Sequence, residues 1–225
     1  MLLRYFAIVA FCMCASLVQA GAWPREQGSG FFSMSVRLGW PQDLEHWAST
    51  DPTDQYRTAY FEYGLTDRIT LGFDIGNSVS GAGKAIAFVQ FPIRNRDTGP
   101  KASLQFGLGQ ISGEKVVRPG LSLGWGLKKG WIGIDSFMEM SVDSLEADYK
   151  VDITWGRNLA KDRKLILQLQ TGVQQGDPAF ARIAPSLVFP ILKRFNKRVK
   201  VETGATYGLT GDTSMGLKLG FWTEF

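Results

Sequence analysis

The chain has 225 residues, 44% of them hydrophobic and 20% charged, with a formal net charge of +4, 26 glycines, two cysteines and one histidine. Both cysteines, Cys12 and Cys14, fall within the first twenty residues, so a chain that loses this leader has neither a disulfide nor a cysteine metal site. No later apolar run reaches the length of a transmembrane helix, so a closed barrel is the remaining way to span a bilayer.

Arg4 precedes an apolar run from Tyr5 to Leu17, and Val18-Gln19-Ala20 follows. A charged start, an apolar centre and a small-x-small site define a secretory signal peptide cut after Ala20. A membrane anchor is the alternative, but the run is short and ends in a good cleavage site. A lipoprotein is another, but neither Cys12 nor Cys14 follows a Leu-small-small pattern. The expected organisation is therefore a cleaved signal at 1–20 and a single barrel domain at 21–225.

Gly21 to Gly30 reads as a short periplasmic lead-in. Strand one, about Phe31 to Trp40, turns Phe32, Met34, Val36, Leu38 and Trp40 one way and Ser33, Ser35 and Arg37 the other, since side chains alternate faces along a strand. Pro41 to Asp54 is a loop. Strand two, about Gln55 to Leu65, sets Phe61, Tyr63 and Leu65 against Tyr60 and Glu62, and Thr66-Asp67 reverses the chain. Strand three alternates Ile69, Leu71, Phe73 and Ile75 with Thr70, Gly72, Asp74 and Gly76. Strand four presents Ala85, Ala87, Val89, Phe91 and Ile93. Strand five sets Leu104, Phe106 and Leu108 against Ser103, Gln105, Gly107 and Gly109. Ser112-Gly113 turns into strand six, with Leu121, Leu123, Trp125 and Leu127 on the apolar face, and Lys128-Lys129-Gly130 turns again.

Strand seven places Ile132, Ile134, Met138 and Met140 opposite Asp135 and Glu139. Strand eight places Tyr149, Val151, Ile153 and Trp155 opposite Lys150, Asp152 and Thr154. Strand nine sets Leu165, Leu167, Leu169 and Val173 against Gln168, Gln170 and Gln174. Strand ten carries Ile183, Leu187, Phe189 and Ile191, with Pro185 and Pro190 predicting bulges or ladder gaps. Strand eleven sets Val199, Val201, Ala205, Tyr207 and Leu209 against Lys200, Glu202 and Thr206. The last, Met215 to Phe225, alternates apolar with small or polar residues, Trp222 excepted. The fold class is all-β: an antiparallel transmembrane β-barrel of about 12 strands with short turns, and a count of about 10 or 14 also fits.

A soluble sandwich or lipocalin-like barrel shares the period of two. Its exterior would be the polar face, which here is rich in Gly, Ser and Thr. The charges on that face, Asp74, Arg118, Asp135, Glu139, Lys150, Asp152, Lys200, Glu202 and Lys218, suit a hydrated or salt-bridged lumen better. Gly-x-Gly pairs such as Gly107/Gly109 and Gly124/Gly126 fall inside strands and carry no phosphate-loop meaning.

An even count puts both termini at the periplasmic side. The turns there hold Arg94, Arg96 and Lys101, then Lys128 and Lys129, then Arg157, Lys161, Arg163 and Lys164, then Lys193, Arg194, Lys197 and Arg198. The opposite connections hold Asp43, Glu45, Asp51, Asp54, Asp143, Glu146, Asp148, Asp177 and Asp212. Asp67, Asp97 and Asp162, and Lys84, Lys115 and Arg182, run against the trend. A basic rim suits inner-leaflet phospholipid, each cation contributing on the order of 1 kcal/mol. An acidic rim suits divalent cations shared with lipopolysaccharide, and the two together suit an axial field that biases ion entry. Dispersed basic turns without an aromatic platform argue against nucleic acid as a partner.

The final strand ends on an aromatic residue, with Lys218, Gly220 and Phe225 in a polar–Gly–terminal-aromatic pattern and Thr223 departing from it. It resembles the C-terminal strand of small, porin-like Gram-negative outer-membrane β-barrel proteins. The resemblance implies recognition by the barrel-assembly machinery through Lys218, Gly220 and Phe225, passage with periplasmic chaperones, and an outer-membrane location. It also implies closure of the last strand on strand one near Phe32–Leu38.

Some proteins of that kind are lipid-acting hydrolases, which need an activated nucleophile. The one histidine, His46, lies near Glu45 and Ser49 in the first outer loop. Proximity in a loop is not a triad. The expectation is no enzyme, no cofactor and no metal. Two functions stand ahead: a narrow channel for ions or small polar solutes, and a non-conducting structural or interaction protein whose main contact is the loop with His46 and Trp47. The oligomeric state is open.

Overall fold

A computed structural model of the chain describes residues 21–225 apart from 47–49, 80, 82, 97 and 192–198. The expected signal peptide at 1–20, and Trp47, Ser49, Asp97, Lys193, Arg194, Lys197 and Arg198, thus lie outside the described residues. Twelve antiparallel strands follow one another in chain order: β1 (Gly30–Pro41), β2 (Asp54–Thr66), β3 (Ile69–Ser78), β4 (Gly83–Arg94), β5 (Lys101–Ile111), β6 (Glu114–Leu127), β7 (Gly130–Ser141), β8 (Ala147–Leu159), β9 (Arg163–Val173), β10 (Phe180–Pro190), β11 (Val199–Thr210) and β12 (Ser214–Glu224). Each pairs with its neighbours in sequence, and β12 pairs with β1 to close the barrel. No helix among the described residues is long and apolar enough to cross a membrane.

The alternation of each strand is sorted inside out. Phe73 and Leu219 are 51% and 52% exposed on the exterior, whereas Glu62, Gln90 and Arg118 are 1%, 1% and 2% exposed within. A soluble barrel buries its apolar parity, so this sorting belongs to a barrel solvated by lipid.

The closing seam runs from Phe31↔Glu224 to Pro41↔Ser214, with Phe32 opposite Thr223 and Leu38 opposite Leu217. Beyond β12, the Phe225 N–H donates to the Gly30 carbonyl at 3.1 Å and the Gly30 N–H donates to the Phe225 carbonyl at 2.8 Å. The Phe225 ring stacks on Phe61 with centroids 6.3 Å apart. These contacts hold both ends of the barrel chain at one rim, here called the terminal rim; the opposite rim is the distal one.

Ser112 and Gly113 both have positive φ, 50° and 88°, as a type I′ hairpin requires. In β10, pairing with β11 skips Ala184 and Pro185 between Ile183↔Tyr207 and Ser186↔Gly204, while pairing with β9 runs on through Pro185↔Leu167. Proline has no N–H to give to the β11 side. Pro190 is simply the last strand residue.

Residues 21–29 differ from a periplasmic lead-in. They run into the terminal end of the barrel, where Ala22 is buried and the Gly21 carbonyl accepts hydrogen bonds from Gln90 and Ser103. The segment has no strand periodicity of its own, so only the finished wall gives it a place.

Candidate functional site in the lumen

Inward parity brings charged side chains from β3, β4, β6, β7 and β8 within reach of one another. From β3 comes Asp74, whose Oδ2 meets Lys84 Nζ of β4 at 2.8 Å and Arg118 Nη1 of β6 at 2.5 Å. Arg118 Nη1 also lies 3.8 Å from Glu139 Oε1 of β7, and Glu139 Oε2 is 2.5 Å from Lys150 Nζ of β8. Arg118 donates to Gln105 Oε1 at 3.1 Å. Its guanidinium lies over the Phe137 ring at 4.9 Å and over Phe88 at 5.9 Å. The result is a five-member chain of alternating sign, Lys84–Asp74–Arg118–Glu139–Lys150. Such alternation offsets the cost of desolvating each member, because every charge has an opposite neighbour.

Smaller pairs complete the inner wall. Lys218 Nζ is 2.9 Å from Glu202 Oε1, and the Trp222 indole donates to Glu202 Oε2 at 3.0 Å. Arg182 meets Asp212 at 2.5 Å and Arg37 meets Asp54 at 3.0 Å, both toward the distal rim. At the terminal end Lys200 reaches Asp162 at 3.2 Å. There, too, Glu62 takes Arg25 at 2.6 Å and the Tyr60 hydroxyl at 2.6 Å. Asp135 and Asp152 face each other in register across β7 and β8.

Among the nine lumen charges named from sequence, seven line a central cavity of about 730 Å3: Asp74, Arg118, Asp135, Lys150, Asp152, Glu202 and Lys218. Glu139 and Lys200 are buried in the wall beside it. Asp74, Arg118, Glu139 and Lys150 form one network, Glu202 and Lys218 a second, and Lys200 stands apart at the terminal end. The cavity reaches from Ser112 and Gln174 near the distal loops to Trp131, Ile166 and Trp222 below.

Several charges assigned to the rims turn inward instead. Lys84, Asp54, Arg182 and Asp212 are paired as above, and Lys164 is buried with its amine 5.3 Å from the Trp131 ring. All but Asp212, which lies in the β11–β12 turn, sit near a strand end, where alternation still applies but a turn boundary read from sequence misplaces them. The floor was also missed. Trp131, Ile166 and Val188 form a buried apolar cluster with Trp23 and Trp222 packed against it. The signal was present as apolar residues on the otherwise polar parity of β7, β9 and β10.

In the terminal strand, Lys218 pairs with Glu202, Gly220 lies opposite Ser35 of β1, and Phe225 sits at the rim against Phe61. His46 lies in the short 3-10 turn Leu44–His46 of the first distal loop. Among the described residues, no group of three or more His, Cys, Asp or Glu side chains is arranged to hold a metal ion.

No protein-family model matches the chain, and no curated protein matches it by sequence. Solved structures do match. A KdgM porin in complex with disordered oligogalacturonate superposes with a TM-score of 0.64 at 10% identity, over 86% of this chain and 99% of that one. A NanC porin gives 0.62 at 12% identity, over 84% and 98%. The COG4313 outer membrane channel from Pseudomonas putida F1 gives 0.60 at 12% identity, over 93% and 100%. This is the fold of the small outer-membrane porins. At these identities the likeness is one of fold.

Proposed function

We propose that the chain is a narrow porin-like channel of a Gram-negative outer membrane, passing ions or small polar solutes. The observation that carries this reading is the charge-lined cavity of about 730 Å3 inside an inverted barrel. A barrel of this strand number has room for a narrow pore once its side chains are held to the wall. Here ion pairs hold them: Arg118, Lys84 and Lys150 are tied to Asp74 and Glu139 rather than reaching across the lumen. Because most lumen charges are paired, a passing ion meets alternating signs, and selectivity should be weak.

Export through a signal cut after Ala20 and folding by the barrel-assembly machinery through Lys218, Gly220 and Phe225 belong to this reading. So do lipid partners, with phospholipid at the terminal rim and lipopolysaccharide at the distal rim. Lys128 and Lys129 lie at the first, and Asp143, Glu146 and Asp177 at the second. A lipid-acting hydrolase has less support, since His46 is in a distal loop and not in the lumen networks.

One observation favours a non-conducting structural protein: residues 21–25 and the Trp131 cluster fill the terminal end of the lumen. Planar-bilayer recording of the protein purified from outer membranes separates the two. Stepwise conductance with little preference between cations and anions is the expected result. Folded, heat-modifiable protein that inserts without current would leave the structural reading.

A further inference from the structure

The terminal half of the lumen is shaped around residues 21–26. The Gly21 carbonyl accepts from Gln90 Nε2 at 2.5 Å and from Ser103 Oγ at 2.7 Å, and both donors are buried side chains of β4 and β5. Gly21 has a φ of +78°, and a methyl group there would overlap Asp135 Oδ1 and crowd Ser122 Oγ. The backbone of Gly21 therefore rests directly on the Asp135 carboxylate. Further along, a side chain at Gly124 would displace the Trp23 ring, and one at Gly64 would strike the Glu26 carbonyl. The Arg25 amide donates to Thr70 Oγ1 at 3.1 Å, and its guanidinium pairs with Glu62 while covering the Phe31 ring at 4.9 Å. Seven strands, β1 to β7, contribute to this seat.

Two groups beside Gly21 lack a full complement. Asp135 accepts a hydrogen bond from Ser122 but makes no ion pair among the described residues, and it faces a second carboxylate, Asp152. Gln90 Oε1 is a buried acceptor with no hydrogen-bond partner among them. An unpaired buried carboxylate and an orphaned acceptor both cost stability, and a cationic donor answers both. Hydrolysis of the Ala20–Gly21 peptide bond creates one. Water adds across the bond, Ala20 leaves with the new carboxylate, and Gly21 keeps the new amine. An α-amine of ordinary pKa, about 8, is an ammonium at neutral pH.

We propose that signal-peptide cleavage equips this barrel with its own plug: the α-ammonium released at Gly21 seats on Asp135 and locks residues 21–25 across the terminal end of the lumen. The consequence for current rests on the channel reading, but the seat itself does not.

The test uses protein exported and purified from outer membranes. Its N-terminal peptide should begin at Gly21, and an amine-reactive ester at neutral pH should label that amine at least about tenfold more slowly in the folded barrel than in urea, because access requires local opening. Asp135→Asn should restore most of the labelling, and Asp152→Asn should leave the protection in place. If Asp135→Asn does not fold, the folded-to-unfolded ratio of the natural chain decides the matter. A chain that starts elsewhere, or an amine labelled equally fast in both states, overturns the proposal. In bilayers, Trp23→Ala should raise the conductance severalfold. Protection without current in any variant keeps the seat and removes the channel; current that ignores Trp23→Ala, together with an unprotected amine, removes the plug and keeps the channel.

Discussion

Arg118 meets Asp74, Glu139 and Gln105 while its planar group lies over Phe137. A guanidinium suits that position because it spreads one charge over several donors and stacks on a ring at the same time. Removing it leaves Asp74 and Glu139 each with a single lysine, in a wall where Glu139 is almost wholly buried. Arg118→Ala should therefore destabilise the folded barrel by about 3 kcal/mol, at the low end for breaking a buried pair because Lys84 and Lys150 remain. Urea unfolding followed by heat-modifiable gel migration measures this, and an unchanged midpoint would show the network to be energetically idle. Arg118, Asp74 and Glu139 were legible as inward residues from alternation alone. That they touch was not, because their sequence separations of 44 and 21 give no local signal.

At the scale of the strand, parity decides which solvent a side chain meets. Phe106 is 47% exposed on the exterior of β5, and its neighbour Gln105 is buried on the lumen side. Arginine on the lipid face near mid-membrane costs about 2–4 kcal/mol. Phe106→Arg should lower the stability of the vesicle-inserted barrel by roughly that amount, measured by reversible urea unfolding. A loss well under about 1 kcal/mol would place Phe106 near an interface. Strand pairing followed the same logic: the Pro185 gap was legible because a missing N–H is a property of one residue, and the ladder shows the gap on one side only.

For the whole molecule, even-numbered closure fixes two rims, and thiol accessibility at each rim reports the orientation. Ser144 lies in the exposed β7–β8 turn and Lys129 in the exposed β6–β7 turn. The chain has no cysteine after Cys14, so a single introduced thiol reports cleanly. In intact cells, a membrane-impermeant maleimide should label Ser144→Cys and should reach Lys129→Cys only after the outer membrane is opened. The reverse pattern would invert the barrel and exchange the lipids assigned to its rims.

Alternation with a period of two and turn residues are local, so the sequence by itself determined the all-β class, the strand order and the inward set from Asp74 to Lys218. Tertiary structure alone decided what closure brings together. Gly21 meets Gln90 and Ser103 across sequence separations of 69 and 82. Trp131, Ile166 and Val188 become a floor only when β7, β9 and β10 curve around one axis. A strand states which way each side chain points, but the pairing register and the curvature of the closed sheet decide which of those side chains share a height in the lumen.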